Sequence, residues 1–389
     1  KINPSFVDAV IAVKDLFLES VKLHMRSDVP VGAALSGGID SSAIVCSIRF
    51  LYPNQEIHSF SYIAADELSE EYWIDIVNSH IKAKAHKIKL SKEELVSDLD
   101  DLIKTQGEPF GSTSIYAQYR VFQEAKKNNI TVMLDGQGAD EMLGGYIYYQ
   151  SSVLAGYIMK GRFHKGYKFF NSCVSNTSST KKYLLLLTIR ELLPLRILSR
   201  VKPLFLSNKK IPWISKDWVK HNKVDHLKAY KHSLDLKHPL NSHLKSTLTK
   251  LGIPHLLRYE DRNSMRWSIE SRVPFLYVEL VEYLYSLPEE YLLNSDGLSK
   301  YVFREAMRGI VPDEILDRKD KVGFATPEKD WLYEMDGWVK EQIQDSHKMD
   351  FFNTHELKKS WNDVLTGKAE FDFRCWRWLN LIYWKNNND

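Results

Sequence analysis

The sequence predicts an α/β fold: a parallel sheet with helices on both faces, followed by a mainly helical C-terminal portion. Three observations predict it. Short apolar runs alternate with amphipathic stretches over about the first 150 residues, the pattern of strands joined by crossover helices. Two glycine-rich turns, at Ser36 and at Asp135, each follow such a run. Beyond Tyr146 the strand signals fade and long amphipathic helices dominate. In parallel sheets ligands gather outside the carboxyl ends of the strands, which is where both turns fall.

Taken in order, Pro4 to Met25 carries Phe6, Val10, Val13, Phe17 and Val21 at helical spacing, a helix packed on the sheet edge. Val29 to Leu35 is a buried strand, and Ala43 to Phe50 begins the helix after it. Glu56 to Ile63 is a second strand, with Phe60 and Tyr62 alternating against Ser59 and Ser61. Glu70 to Ile81 is helical and His86 to Leu90 a short strand; Lys92 to Thr105 and Ser114 to Asn128 are helices, and Ile130 to Leu134 is a strand. Gly161 to Lys210 is basic, with Lys and Arg interleaved among aromatics and leucines. It is expected to be helical with a solvated basic face, because no RNA-binding motif accompanies it. Trp376, Trp378, Tyr383 and Trp384 suit a helix packing back on the domain, and Asn386 to Asp389 a frayed tail.

Composition narrows the class. A net charge of +3 on 389 residues gives no nucleic-acid signature. Cys46, Cys173 and Cys375 are isolated in sequence, which fits reduced cysteines of a cytoplasmic protein rather than a disulfide frame. Cys46 lies in the apolar run after the first turn and is expected in the core. No secretory signal opens the chain. The most apolar stretch, Tyr183 to Leu206, holds Arg190, Glu191, Arg196, Arg200 and Lys202 and is a poor membrane span. The chain begins at Lys1, in the middle of an amphipathic pattern, which points to a fragment of something longer.

The stretch Ser36-Gly37-Gly38-Ile39-Asp40-Ser41-Ser42 is built for phosphate. Two glycines let the backbone approach an anion. The following helix offers free N–H groups and a positive dipole end, and the serines add hydroxyl donors. The common phosphate loop has a Lys after its second glycine. Here the charged residue is Asp40, and a carboxylate beside polyphosphate needs a cation between them, which suggests Mg²⁺. Asp140, after the second turn, would share that ion with Asp40; alternatively it caps a helix.

These stretches resemble a known family. Ser36 to Ser42 looks like the pyrophosphate loop of the ATP pyrophosphatase group. Leu134-Asp-Gly-Gln-Gly-Ala-Asp-Glu-Met-Leu-Gly-Gly-Tyr146, Asp261 to Met265 with Glu270 to Leu276, and Arg318 to Phe324 follow in an order that resembles the synthetase domain of glutamine-hydrolysing asparagine synthetase, from about Phe6 to about Leu332. The resemblance implies an adenine nucleotide alpha hydrolase-like core to about residue 150, with a helical portion completing the acyl-substrate site. It implies adenylation of a carboxylate, most simply the side chain of aspartate, by ATP with Mg²⁺, followed by attack of ammonia. Ammonia would come from a glutaminase domain that this chain does not carry or from a partner; a homodimer is left open. β-Lactam synthetases and lasso-peptide cyclases resemble the same family and close an internal amide, and a degenerate nucleotide-binding subunit is a third reading.

The resemblance also assigns residues. The nucleotide falls to Ala34, Leu35, Ser36, Gly37, Gly38, Asp40, Ser41 and Ser42, to the backbone of the strand from Ser59 to Tyr62, and to Asp135 and Gly136. The metal falls to Asp40 and Asp140. Lys321 would face the α-phosphate and the tetrahedral intermediate, with Arg318 a second phosphate cation. Gln137, Gly138, Glu270 and Arg272 would meet the acyl substrate, Glu270 and Arg272 being read in a loop where an acid and a base two apart could instead form a structural ion pair. Two departures stand out: Gln137, where asparagine synthetases commonly have Glu, and Tyr277, where they often have Asp. A neutral amide cannot act as a general base.

Overall fold

A computed structural model of the chain describes residues 3–64, 69–176, 181–193, 212–223, 235, 237–319 and 324–387. Its centre is a five-stranded parallel sheet in the order β3-β2-β1-β4-β5. The strands are β1 (Val31–Ala34), β2 (His58–Tyr62), β3 (Lys84–Ile88), β4 (Val132–Leu134) and β5 (Glu270–Arg272). The early helices are α1 (Phe6–His24), α2 (Ile39–Leu51), α3 (Glu71–Ile81), α4 (Lys92–Gln106), α5 (Ser114–Lys127) and α6 (Ala139–Leu143). Each expected helix before residue 130 is present. Local chemistry explains their ends: Ser5 caps α1 by accepting from the Asp8 N–H, and Ser91 with Glu94 forms a reciprocal capping box on α4.

The alternation in β2 does not mark one solvated face. Ser59 and Ser61 are as buried as Phe60, because a parallel sheet is covered on both sides. One face packs Ala33, Ile44 and Val77 with α1, through Val13 and Phe17. The other packs Phe60, Ile88 and Met133 under α5, through Val121 and Phe122. The α1 helix lies on α2 and on the later helices Val278–Ser286 and Tyr301–Ala306. A third, tryptophan-rich cluster joins α4 to the C-terminal helices through Trp331, Trp361, Trp376 and Trp378, so the Arg374–Asn386 helix does pack back. Residues 388 and 389 of the expected tail lie outside the described residues.

The fifth strand corrects two expectations. Glu270 and Arg272 are not in a loop: Val132 pairs with Glu270 and Leu134 with Arg272. The sheet is therefore not complete within the first 150 residues, and the helical portion supplies its last strand. Between β1 and its neighbours the chain order reverses, β2 on one side and β4 on the other, which opens a crevice at their carboxyl ends.

All three cysteines are buried and none forms a disulfide among the described residues, and burial pushes the Cys46 thiol up to about 12, consistent with a core residue. Among the described residues no helix is long and apolar enough to cross a membrane.

Candidate active site

The first turn leaves β1 at Ala34. The Leu35 N–H donates to the Phe60 carbonyl at 2.9 Å, and the chain then swings through Ser36, Gly37 and Gly38 into α2. Gly37 stands at φ +75°, and a Cβ there would lie 2.9 Å from Trp73 Cβ, so conformation and space both require glycine. The Ser41 hydroxyl accepts from the Ser36 N–H at 3.1 Å and lies 3.1 Å from the Ser36 hydroxyl. Gly38 is the N-cap, which puts Asp40, Ser41 and Ser42 in the first helical turn, at the positive end of the dipole.

The second turn leaves β4 at Asp135, whose N–H donates to the Arg272 carbonyl at 2.9 Å. Gly138, at φ +93°, caps α6, so Asp140 is a first-turn residue of α6 and not its cap. Gly136 lies against Asp40: a Cβ on it would meet Asp40 Cβ at 3.3 Å. The two turns thus face one another across the crevice.

Between them lies a cavity of about 330 Å³. Its polar wall carries Ser36, Gly38, Asp40 and Ser41 from the first turn and Asp135, Gly136, Gln137 and Asp140 from the second. Phe60, Ile115, Val121 and Phe122 form an apolar wall beside them, the kind of surface that takes a flat aromatic base. Gln118, Tyr146, Tyr259 and Phe324 also line it.

Asp40 and Asp140 converge on one cation. The Lys300 ammonium lies 2.6 Å from each carboxylate, and its side chain is only 4% exposed. Lys300 is held at φ +59°, at the N-cap of the Tyr301–Ala306 helix, and its N–H donates to the Leu143 carbonyl at 3.1 Å. Nothing in the sequence reading pointed to it. Two carboxylates meeting at a point suit Mg²⁺, which binds through one or two carboxylates plus phosphate oxygens. Among the described residues there is no cluster of three or more His, Cys, Asp or Glu that would cage a metal by itself, so phosphate would complete the set.

The comparisons decide the family. A model of the asparagine synthase family matches residues 12–386, nearly the whole chain. The chain belongs to that family. The match runs past Leu332, so the C-terminal tryptophan helices belong to it too. Asparagine synthetase [glutamine-hydrolyzing] 1 of Bacillus subtilis is 29% identical over 97% of this chain and 59% of its own length. Asparagine synthetase [glutamine-hydrolyzing] 3 of the same organism is 25% identical over 87% and 52%. Amidase chry2 of Gibberella zeae is 22% identical over 82% and 52%. The chain spans between half and three fifths of these relatives.

Within this family member, the remaining expected residues fall in different places. Arg318 is 8% exposed. Its guanidinium pairs with Glu70 at 2.8 Å, lies over the Trp73 ring at 4.8 Å and donates to the Gly37 carbonyl at 3.3 Å. Its geometry is that of a clamp beneath the first turn. Lys321 itself lies outside the described residues. Tyr62 is buried and stacks edge-on against Phe324, while the Ser59 hydroxyl donates to the Asn78 amide oxygen at 2.6 Å; of that strand it is Phe60 that lines the cavity.

Glu270 and Arg272 take the structural alternative. They pair with each other at 2.7 Å, and Arg272 donates to the carbonyls of His24 and Arg26. They line a separate hollow at the sheet edge with Leu23 and Val273, because β5 is the edge strand. Ser271, between them, donates instead to Glu260. Tyr277 does not line the cavity either.

Proposed function

We propose that this chain is the synthetase portion of an ATP-dependent amide-forming enzyme, which adenylates a carboxylate, most simply the side chain of aspartate, and passes the acyl group to ammonia. The observation that carries the reading is the convergence of Asp40 and Asp140 on one cation between a phosphate turn and an apolar wall. Family membership supports it.

The phosphates of ATP would lie on the N–H groups of Ser36 to Ser42, with adenine against Phe60 and Phe122. Mg²⁺ arriving with ATP would be held by Asp40 and Asp140 and would neutralise polyphosphate charge. Lys300 supplies a second, fixed positive charge at the same point. The substrate carboxylate would attack the α-phosphorus and expel pyrophosphate. Lys321 would stabilise charge on the phosphoryl oxygens and then on the acyl oxygen as ammonia displaces AMP. Gln137 and Gly138, at the end of the second turn, would face the acyl group. Ammonia would come from glutamine hydrolysed by a glutaminase domain outside this chain or by a partner.

The alternative closure of an internal amide draws on Gln137. Tyr277, outside the cavity lining, lends it no support. ATP–pyrophosphate exchange with a panel of carboxylic acids tests the reading. Exchange with aspartate supports it; exchange with a larger amino-bearing acid alone favours the internal-amide reading; no exchange with any acid rejects adenylation.

A further inference from the structure

Three side-chain amides form a chain that ends at the cavity. Gln106, the last residue of α4, and Asn263, on the helix Ile253–Arg266, are fully buried. The Gln106 amide nitrogen donates to the Asn263 amide oxygen at 2.7 Å. The Asn263 amide nitrogen donates to the Ile115 carbonyl and to the Gln118 amide oxygen, each at 3.0 Å. Gln118 is half-buried and lines the cavity with Ile115, Val121 and Phe122 from the same face of α5.

The direction of this chain is fixed. The two ends of an amide are nearly isosteric, and only the surrounding hydrogen bonds tell them apart. A main-chain carbonyl only accepts, so the Asn263 atom beside Ile115 is the nitrogen. The Gln118 atom beside Asn263 is then the oxygen, and the nitrogen of Gln118 is the end left for the cavity. None of these groups titrates, so pH does not reverse the order. Asn263 spends both N–H groups and its oxygen within the chain, which makes Gln118 the member that can meet a substrate.

We propose that Gln118 is a specificity-determining residue for the acyl substrate: its amide N–H donates to one oxygen of the carboxylate that is to be adenylated, and Asn263 is the positioning residue that holds it as a donor. This role rests on the adenylation reading above. Among the described residues that line the cavity, the charged ones, Asp40, Glu70, Asp135 and Asp140, are all acidic. A carboxylate entering there has to be met by neutral donors. The phosphates of ATP have the N–H groups of the first turn, and a base against Phe60 and Phe122 rests on apolar surface. Burial raises Asp135 to about 6, against hydrogen bonds from Gly136, Gln137 and Gln118, so one N–H of Gln118 serves the second turn. An amide nitrogen carries two, and the other meets the acid. In adenylation the second carboxylate oxygen bonds the α-phosphorus. The bond from that phosphorus to the bridging oxygen breaks, and its electron pair leaves with pyrophosphate. The oxygen held by Gln118 then becomes a neutral carbonyl. The hydrogen bond is therefore strongest before attack, and its loss falls on the KM for the acid more than on turnover.

The test is ATP–pyrophosphate exchange with aspartate, or with whichever acid of the panel the parent exchanges, in Gln118→Met, Asn263→Asp and the double variant. Gln118→Met keeps the length and loses the donor. It should raise the KM for the acid by about tenfold or more, the usual worth of a hydrogen bond to a charged group, with the KM for ATP within about threefold of the parent. An aspartate at position 263 cannot donate to Gln118, so the Gln118 amide turns over and Asn263→Asp should raise the acid KM by a similar factor. In the Gln118→Met background the same change should add less than about twofold, since coupled residues are not additive. Additive effects, an unchanged acid KM in Gln118→Met, or a KM for ATP that rises as much as that for the acid would each overturn the proposal. If Asn263→Asp fails to fold by thermal unfolding, Gln118→Met decides alone. A parent chain with no exchange overturns the underlying reading instead, and shows itself before any variant is compared.

Discussion

Lys300 lies 2.6 Å from Asp140, although 160 residues separate them in the chain. It lies equally close to Asp40, so one ammonium offsets two buried carboxylates. Removing one partner of a buried ion pair typically costs about 3–5 kcal/mol, because the remaining charges lose compensation. Lys300→Met should therefore lower stability in the absence of nucleotide, and MgATP should recover more of it than in the parent. Exchange should fall by about a hundredfold, the usual loss for one preorganised donor. Thermal unfolding with and without MgATP, alongside exchange rates, checks both; near-normal exchange would remove Lys300 from the phosphate site.

Asp40→Asn and Asp140→Asn should each reduce adenylation by orders of magnitude, since phosphate charge is then uncompensated. They should also weaken the dependence of the rate on Mg²⁺ concentration. Pyrophosphate release titrated with Mg²⁺ reads this directly. Parental Mg²⁺ dependence in both variants would rule out a shared ion.

How far the sequence discloses this site follows from how local each feature is. Ser36 to Ser42 and Asp135 to Tyr146 are self-contained: an apolar run, a glycine turn and a helix start all lie within a dozen or so residues. Their facing one another follows from the parallel sheet they imply. Strand β5 is different. Glu270-Ser-Arg272 has no apolar run and no β-branched residue, and it is a strand only because β4 offers it a free edge. Lys300 is equally silent. It acts through Asp40 and Asp140, more than 100 residues away, and does not stand in a motif that spacing alone would flag. Arg318 shows the limit from the other side: its neighbourhood is recognisable, but its clamp on Glu70 and Trp73 exists only in the fold.

Gly145 has no freedom to change. A Cβ on it would lie 1.8 Å from Asp140 Oδ1 and 2.8 Å from Lys300 Cε. Gly145→Ala must push the Asp140 carboxylate or Lys300 aside. Exchange should drop by at least about tenfold, while the Tyr146 contact to Glu141 at 3.0 Å keeps the helix start in place. Gly145 is not among the positive-φ glycines, so a loss in Gly145→Ala reports the clash; parental exchange in that variant would show that Asp140 and Lys300 can shift without consequence.

Lys321→Ala tests the proposed transition-state role. A lysine that meets charge only as it develops acts on rate rather than on binding. Turnover should fall by about a hundred- to a thousandfold, with ATP affinity changed only a few-fold. Lys321→Arg should also be poor, because a planar fork does not replace a compact ammonium. A large loss of ATP affinity at unchanged turnover would make Lys321 a ground-state phosphate clamp instead.

The last prediction concerns pH and a carboxylate away from the phosphate turns. Glu328 is 2% exposed at the start of the Glu328–Glu334 helix. It accepts from the N–H and hydroxyl of Thr113, both at 3.1 Å, and so ties the C-terminal helices to the residue that precedes α5. Burial raises it from 4.5 to about 7, more than those bonds and the Arg377 charge lower it. A carboxylate raised on folding is more protonated in the native state than in the unfolded chain. Its contribution is fully present below about 4.5 and is lost as pH climbs toward about 7, where the native state must bury a charge. At about 1.4 kcal/mol per pH unit, the interval corresponds to as much as about 3 kcal/mol. Glu328→Gln, neutral at every pH and able to accept the same bonds, should abolish that slope. It should leave stability at pH 5 close to the parent and raise it at pH 8. Urea unfolding at the two pH values measures the difference. A parent whose stability between pH 5 and pH 8 matches that of Glu328→Gln would show that Glu328 stays ionised in the fold.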